Sequence, residues 1–258
     1  MFKISVSKAK TFESCKLKFK YNYILKLPQK EFTFFAYGKM LHMILEDFHR
    51  ELMKNPTINK SEFMGKCFKE AKDKYKEKLP KNDMKEAYKT IDEYLQILAA
   101  ESNPPTILNV ESEFNVDIND GEVTLIGMID RVQKDLDGML HVIDYKSSKN
   151  MKYYENDFFQ MKIYAYVMML EDPNLMDIRC SYQFLRHSFC YITKEFHRND
   201  VMKMKDVIVE YVRNMQSEKE FPSNASFLCN YCGFLDVCSD GKKALLPKII
   251  KSGKTSWT

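Results

Sequence analysis

Apolar side chains recur three and four residues apart over 38–53, where Leu41, Ile44, Leu45, Phe48 and Leu52 form one stripe and predict a helix. An earlier helix is expected from a cap at Ser7 toward Leu25, with Phe12, Phe19 and Tyr23 along one face. Two Lys- and Glu-rich stretches, 61–78 and 83–100, keep a helical spacing until Asn103-Pro104-Pro105 breaks the chain. The period then changes. Runs over 107–118, 123–132, 139–146, 178–186 and 189–196 read as strands. One helix is expected among them, over 155–170, and another after them, over 200–216. No internal repeat is present. The pattern predicts an α/β chain whose strands are gathered in the middle, behind a largely helical first third.

Composition narrows the class. A chain of 258 residues that is 45% hydrophobic can bury a sizeable core, which excludes global disorder. Eight glycines and eight prolines are too few for a collagenous, low-complexity or turn-dense all-β chain. The longest apolar run, 164–170, falls far short of the ~20 residues of a membrane span. Residues 1–10 hold no apolar stretch of the kind a secretory signal needs, so the expected location is inside the cell. That means cytoplasmic, nucleoid-associated, or the host cytoplasm for a viral protein. A net charge of +4 names no partner, but its distribution is uneven. Residues 1–30 hold eight lysines and one acid, Glu13, and five lysines with no acid follow Asp240. Basic ends on a nearly neutral body suit a polyanion, nucleic acid above all, and equally suit two solvated surface segments.

The most informative stretch is 125–149, LIGMIDRVQKDLDGMLHVIDYKSSK. Two strands surround Leu136-Asp137-Gly138, a three-residue loop ending in a left-handed glycine. In that register Asp130 lies opposite Asp144, whereas a two-residue Asp-Gly turn would send the two acids to opposite faces. Lys146, two residues past Asp144, points to the same side. Two hard carboxylates on a rigid sheet suit Mg²⁺ or Mn²⁺, with backbone carbonyls and water completing the shell. Such a cation polarises a phosphoryl oxygen and acidifies water. A nearby lysine can orient hydroxide or offset charge developing in the transition state. The same residues can also be strand-end surface acids paired with Arg131 and Lys146.

The series Gly127-Met-Ile-Asp130, Asp144-Tyr-Lys146 and Gln160-Met-Lys-Ile-Tyr164 resembles the motifs of RecB-like nucleases of the PD-(D/E)XK superfamily. That pattern is G-x-x-D, then (D/E)-x-K, then Q-h-x-x-Y on the following helix. Gln160 and Tyr164 are four apart, hence on one helical face. Upstream, Gly38-Lys-Met-Leu-His42 is similar to the family's first motif, a helix carrying a metal-binding histidine. His42 falls about 100° round the helix from Leu41, at the edge of the apolar stripe. Glu113, in Val-Glu-Ser-Glu-Phe, stands where these proteins often carry an acid on the strand before G-x-x-D, with Glu111 as the alternative. The resemblance implies that Asp130, Asp144, His42 and the Tyr145 carbonyl hold the metal and that Lys146 positions or stabilises the attacking hydroxide. It gives Gln160 and Tyr164 the task of orienting the phosphate and Lys146.

Seven cysteines inside a cell stay reduced unless a metal holds them. Cys229, Cys232 and Cys238 have the spacing C-x2-C-x5-C, which reads as metal ligation. No histidine lies near them, and Cys15 is the best candidate for a fourth ligand. Zinc is chemically compatible with four thiolates. One far-upstream cysteine with a C-terminal C-x2-C-x5-C resembles the iron–sulfur staple of AddB-type and CRISPR-associated RecB-like exonucleases, which implies a [4Fe-4S] cluster. Cys67, Cys180 and Cys190 read as small buried apolar residues.

The expectation is a single nuclease domain over 1–258, an α/β restriction-endonuclease-like core whose central mixed sheet is flanked by helices. It would carry a helical arch at 55–101, a staple joining residue 15 to 229–238, and a basic tail at 241–258. With Mg²⁺ or Mn²⁺ it would hydrolyse DNA from its ends, preferentially single-stranded. Its setting would be repair and recombination, CRISPR adaptation or viral DNA processing. No Walker-type loop is present, so a helicase or an integrase would be a separate partner chain. Tyr75, Tyr88 and Tyr94 either stack bases or pack the arch on the core. The rival reading is a non-catalytic nucleic-acid-binding or assembly module with a zinc staple.

Overall fold

The computed structural model describes residues 1–252, with side chains placed through Leu245. Strand β1 (Phe2–Ile4), α1 (Val6–Ser14) and α2 (Lys16–Phe19) lead into a π-helical turn at Lys20–Ile24. Three long helices follow: α3 (Thr33–Lys54), α4 (Lys60–Tyr75) and α5 (Lys81–Ala100). Next come β2 (Thr106–Ile118), β3 (Val123–Lys134), β4 (Leu140–Lys146), α6 (Phe159–Glu171), β5 (Asp177–Phe184) and β6 (Cys190–His197). The chain continues through α7 (Arg198–Val201), α8 (Met204–Ser217), 3₁₀ turns at Phe227–Tyr231 and Leu235–Val237, and α9 (Ser239–Ser252). Of the basic segment expected over 241–258, residues 253–258 lie outside the described residues.

The helix expected from Ser7 toward Leu25 differs in two ways. Its cap is Ser5, whose side chain accepts from the Lys8 amide at 3.2 Å. It is also interrupted at Cys15, which adopts an extended backbone (φ −164, ψ 111). The thiol then accepts the Lys18 amide at 3.5 Å and so caps α2.

Six strands form one mixed sheet. β2 runs antiparallel along one edge of β3. On the other edge, β1 is parallel to the first residues of β3, and β4 is antiparallel to its last residues. β5 is parallel to β4, the pair linked through α6 as a crossover requires, and β6 is antiparallel to β5. The β3–β4 connection is the expected three-residue loop, with Gly138 at φ +85. Arg131 pairs with Ile143, so the hairpin has the expected register. Strand β1 has no counterpart in the sequence reading, because three residues carry no period and its partner lies far along the chain.

Two apolar layers cover the sheet. In one, Phe12, Met161, Tyr164 and Ile208 from α1, α6 and α8 pack over Leu125, Val142 and Ile178. In the other, Leu41, Phe48, Ala71 and Ile91 from α3, α4 and α5 pack over Ile143 and Tyr145. Tyr75 and Tyr94 are buried in this second layer, whereas Tyr88 is exposed and packs edge-on to Phe68.

Alternation along β4 assigns Val142 to the first layer and Ile143 and Tyr145 to the second, so Asp144 points toward α6. Alternation fails on β3. Ile129 and Val132 both belong to the first layer although they are three apart, while Arg131 bonds to His49 and Tyr94 of the second. Val110 pairs with Arg131 and Ser112 with Ile129, so Glu111 stands at the level of Asp130. Glu111 has φ +48, a left-handed conformation that costs a non-glycine residue about 1–3 kcal/mol.

Candidate active site

The ladder between β3 and β4 runs no further than Arg131 and Ile143. One step on, the Asp130 side chain takes the place of a backbone acceptor: its Oδ2 receives the Tyr145 amide at 2.6 Å. The two strands therefore fork with Asp130 in the crotch, its carboxylate held by the chain that carries Asp144 and Lys146.

Two glycines let the flanking elements close on this fork. A Cβ on Gly38 would meet Ser147 Oγ at 2.7 Å, so α3 passes close beside the end of β4 and a larger residue there would make the Ser147 hydroxyl turn away. A Cβ on Gly127 would sit 2.3 Å from the Phe114 ring, which lies across β3 at that point.

Helix α3 then delivers His42. Its Nδ1 lies 3.5 Å from Asp130 Oδ1, and its Nε2 is 3.2 Å from the Tyr145 carbonyl oxygen. With Glu111, these two residues each turn one donor atom toward a common point, all within 4.8 Å of one another. Glu113, the acid the sequence reading assigned, is exposed and pairs with Met128 two residues along β2. The break in alternation at this level separates the two candidate acids: Glu111 turns toward Asp130, while Glu113 points away from the Phe114 face.

The charges explain what this group lacks. Burial, then Asp130 and Glu46, push the Glu111 carboxyl up to about 7. Burial opposes charging His42, but the hydrogen bond and charge of Asp130, with Asp144 and Glu111, hold its pKa above the ordinary value. Clustered acids and an imidazole drawn toward the cationic form are a site short of positive charge. Two carboxylates, an imidazole and a nearby carbonyl suit Mg²⁺ or Mn²⁺ as a donor set.

Asp144 stands beside this group rather than in it. Its buried Oδ2 forms an ion pair with Lys146 Nζ at 2.6 Å. Its Oδ1 accepts from Gln160 Nε2 at 2.7 Å and from the Tyr164 hydroxyl at 3.3 Å. Gln160 Oε1 receives Lys146 Nζ at 3.0 Å, and Gln160 Nε2 also donates to the Tyr164 hydroxyl at 2.7 Å. One amide, presented by the first turn of α6, thus spans both members of the Asp144–Lys146 pair. Burial works against the lysine's charge, but Asp144 outweighs it and keeps Lys146 protonated. The structure therefore brings His42, Asp130, Asp144, Tyr145, Lys146, Gln160 and Tyr164 to one fork.

The two ends of the chain meet elsewhere. Cys15, Cys229, Cys232 and Cys238 line one cavity of about 400 Å³. Backbone amides approach three of the sulfurs: Asn224 to Cys15 (3.4 Å), Ser226 to Cys229 (3.4 Å) and Gly241 to Cys238 (3.3 Å). Among the described residues, no three sulfurs fall within 4.8 Å of one another. Cys67 and Cys180 are buried apolar residues, and burial pushes the Cys67 thiol up to about 12.

A family model described as "PD-(D/E)XK nuclease superfamily" matches residues 3–239. A crystal structure of a candidate exonuclease from Eubacterium rectale is similar at TM-score 0.53 and 13% identity, covering 85% of this chain and 84% of that one. At that identity the likeness shows the fold alone. The crystal structure of SSO0001 is similar at TM-score 0.43 and 13% identity, covering 92% of this chain and 85% of that one, and carries no argument. No curated protein matches the chain. No helix among the described residues is long and apolar enough to cross a membrane.

Proposed function

Because this chain belongs to the PD-(D/E)XK nuclease superfamily, we propose that it is a divalent-cation-dependent exonuclease acting on DNA ends, preferentially single-stranded. The observation that carries the reading is the Gln160 bridge, which fixes Lys146 against Asp144 beside the His42–Glu111–Asp130 group. His42, Glu111 and Asp130 would hold Mg²⁺ or Mn²⁺, with Asp144 and the Tyr145 carbonyl alongside. A cation there supplies a Lewis acid for a phosphoryl oxygen and makes water more acidic. Lys146, protonated and immobilised, donates to a phosphoryl oxygen and offsets negative charge developing in the transition state. Gln160 and Tyr164 hold Asp144 and Lys146 so that neither must reorganise when substrate arrives. Asp130, bonded to the Tyr145 amide, keeps the fork open at the width it has here.

The four-cysteine cavity reads as the seat of a [4Fe-4S] cluster that pins α2 to the C-terminal segment. Supporting this, the four thiols line one cavity of about 400 Å³ between α2 and the C-terminal segment, with room for a group larger than a single ion. The 55–101 segment serves as an arch over the nucleic acid; the exposed Tyr88, edge-on to Phe68, would offer its open side to a base, while Tyr75 and Tyr94 pack the segment to the core.

The test is cleavage of end-labelled single-stranded and duplex DNA by anaerobically purified protein. EDTA should abolish it and Mn²⁺ or Mg²⁺ restore it; the label that shortens first gives the polarity. Cleavage unaffected by chelation would sink the reading.

A further inference from the structure

We infer a second binding site, for a small organic anion with an apolar body, in the cavity between the α3–α5 helices and the sheet. The cavity has a volume of about 430 Å³, within the range of small-molecule sites. Its walls include Leu52, Ile97, Leu98, Pro105, Ile107 and Phe189. Arg131, only 5% exposed, also lines it.

Every partner of this guanidinium is neutral. Nη1 donates to the Tyr94 hydroxyl (3.2 Å) and to His49 Nε2 (3.2 Å). Nη2 donates to Gln183 Oε1 (3.4 Å) and to the Tyr191 hydroxyl (3.2 Å). Because His49 Nε2 accepts from the guanidinium, its imidazole carries no proton there and no charge. Asp130, the next residue, is turned to the fork, and Asp135 is taken by Arg179 and His141. No carboxylate among the described residues forms an ion pair with Arg131, so a full positive charge is buried without a counter-ion.

Two buried polar atoms complete the picture. Arg131 Nε has no hydrogen-bond partner, and neither has Gln133 Oε1, whose amide nitrogen is spent on Asp135 at 2.7 Å. Arg131 and Gln133 both line the cavity, so one unpaired donor on a cation and one unpaired acceptor lie enclosed in its otherwise apolar wall. An anion paired with Arg131, a donor group for Gln133 and a planar or aliphatic body would satisfy all three. Lys60 and the exposed Glu101 also line the cavity, so its net charge leans on Arg131. A carboxylate and a phosphate monoester share this chemistry.

The test is a thermal-shift titration of the full chain with 1-naphthoate, 1-naphthyl phosphate and neutral 1-naphthalenemethanol. At least one of the two anions should raise the Tm in a concentration-dependent way while the neutral alcohol does not, and the two anionic arms separate carboxylate from phosphate. Leu98→Trp, which fills the cavity and leaves the Arg131 network in place, should abolish the shift. Arg131→Met should abolish it too; if that variant does not fold, Leu98→Trp decides. No shift with either anion, an equal shift with the alcohol, or a shift that survives Leu98→Trp would overturn the inference.

Discussion

The carboxylate of Asp130 accepts the backbone amide of Tyr145 at 2.6 Å, spanning the fork between β3 and β4 where their ladder stops. One side chain therefore joins two tasks, satisfying a buried amide and facing His42. Asp130→Ala should leave that amide unpaired and cost about 1–3 kcal/mol in denaturant unfolding. Asp130→Asn keeps an acceptor for Tyr145 but loses the charge. It should unfold close to wild type yet bind Mn²⁺ at least tenfold more weakly, a loss of about 1.4 kcal/mol or more by calorimetry.

Gln160 reaches both Lys146 (3.0 Å) and Asp144 (2.7 Å). Gln160→Met preserves the length of the side chain and removes the bridge. Partners one layer from the reacting groups are typically worth about 10–100-fold. The expected outcome is a fall of that size in kcat, with Mn²⁺ affinity and the unfolding midpoint close to wild type. An unchanged kcat would mean that Lys146 needs no holding.

Phe114 lies over Gly127, where a Cβ would come within 2.3 Å of its ring. The ring is buried in the core cluster. Gly127→Ala should destabilise by about 1–3 kcal/mol through overpacking. Pairing it with Phe114→Leu should recover part of the loss, as urea unfolding of the single and double variants would show.

The far end of the same hairpin carries a pH-dependent tie. Burial raises the Asp135 pKa, but hydrogen bonds from Gln133, Arg179 and His141 outweigh it and hold the carboxyl below its ordinary value. Burial lowers His141 despite its contact with Asp135 at 2.9 Å. A carboxyl with a depressed folded pKa stabilises above its unfolded value, about 4, and loses that contribution as pH falls through the folded one. A histidine kept neutral weakens the fold as pH drops below its unfolded value, about 6.5. Both act in one direction. Asp135→Asn should lower the Tm at pH 7, and its difference from wild type should shrink as the pH falls below about 4.

The cysteine cavity gives a prediction about metal content. Protein purified without oxygen should be brown and contain iron rather than zinc. Cys232→Ser should lose the colour and fall in Tm. A closure from residue 15 to 238 is worth about 5 kcal/mol if it behaves like a long-loop disulfide. A colourless wild type containing zinc would contradict the cluster.

Much of this architecture is local in origin and so legible in the sequence. Leu136-Asp137-Gly138 sets the hairpin register through one left-handed glycine, and the register brings Asp130 and Asp144 to one end of the β3–β4 hairpin. The spacing of Gln160 and Tyr164 places both on one face of α6. What escaped is non-local or irregular. Strand β1 is defined only by its pairing with Val123 to Leu125. Cys15 interrupts a helical pattern whose apolar positions continue through it, because its thiol faces a cavity formed by the other end of the chain. Glu111 and Glu113 share a parity, and the broken alternation that sorts them leaves no mark in the order of residues. Arg131 reads as a surface partner for an acid, yet it is buried among tyrosines, since the helices that cover it come from 33–100.

The central claim is tested most directly by separating cation binding from chemistry at Lys146. Wild type and Lys146→Ala would each be titrated with Mn²⁺ by calorimetry, then given end-labelled single-stranded DNA under the same conditions. The account predicts that both bind Mn²⁺, that wild type shortens the DNA, and that the variant does so at least about 100-fold more slowly. Wild-type protein with Mn²⁺ bound that leaves single-stranded and duplex DNA intact, or a variant that cleaves as fast as wild type, would contradict it.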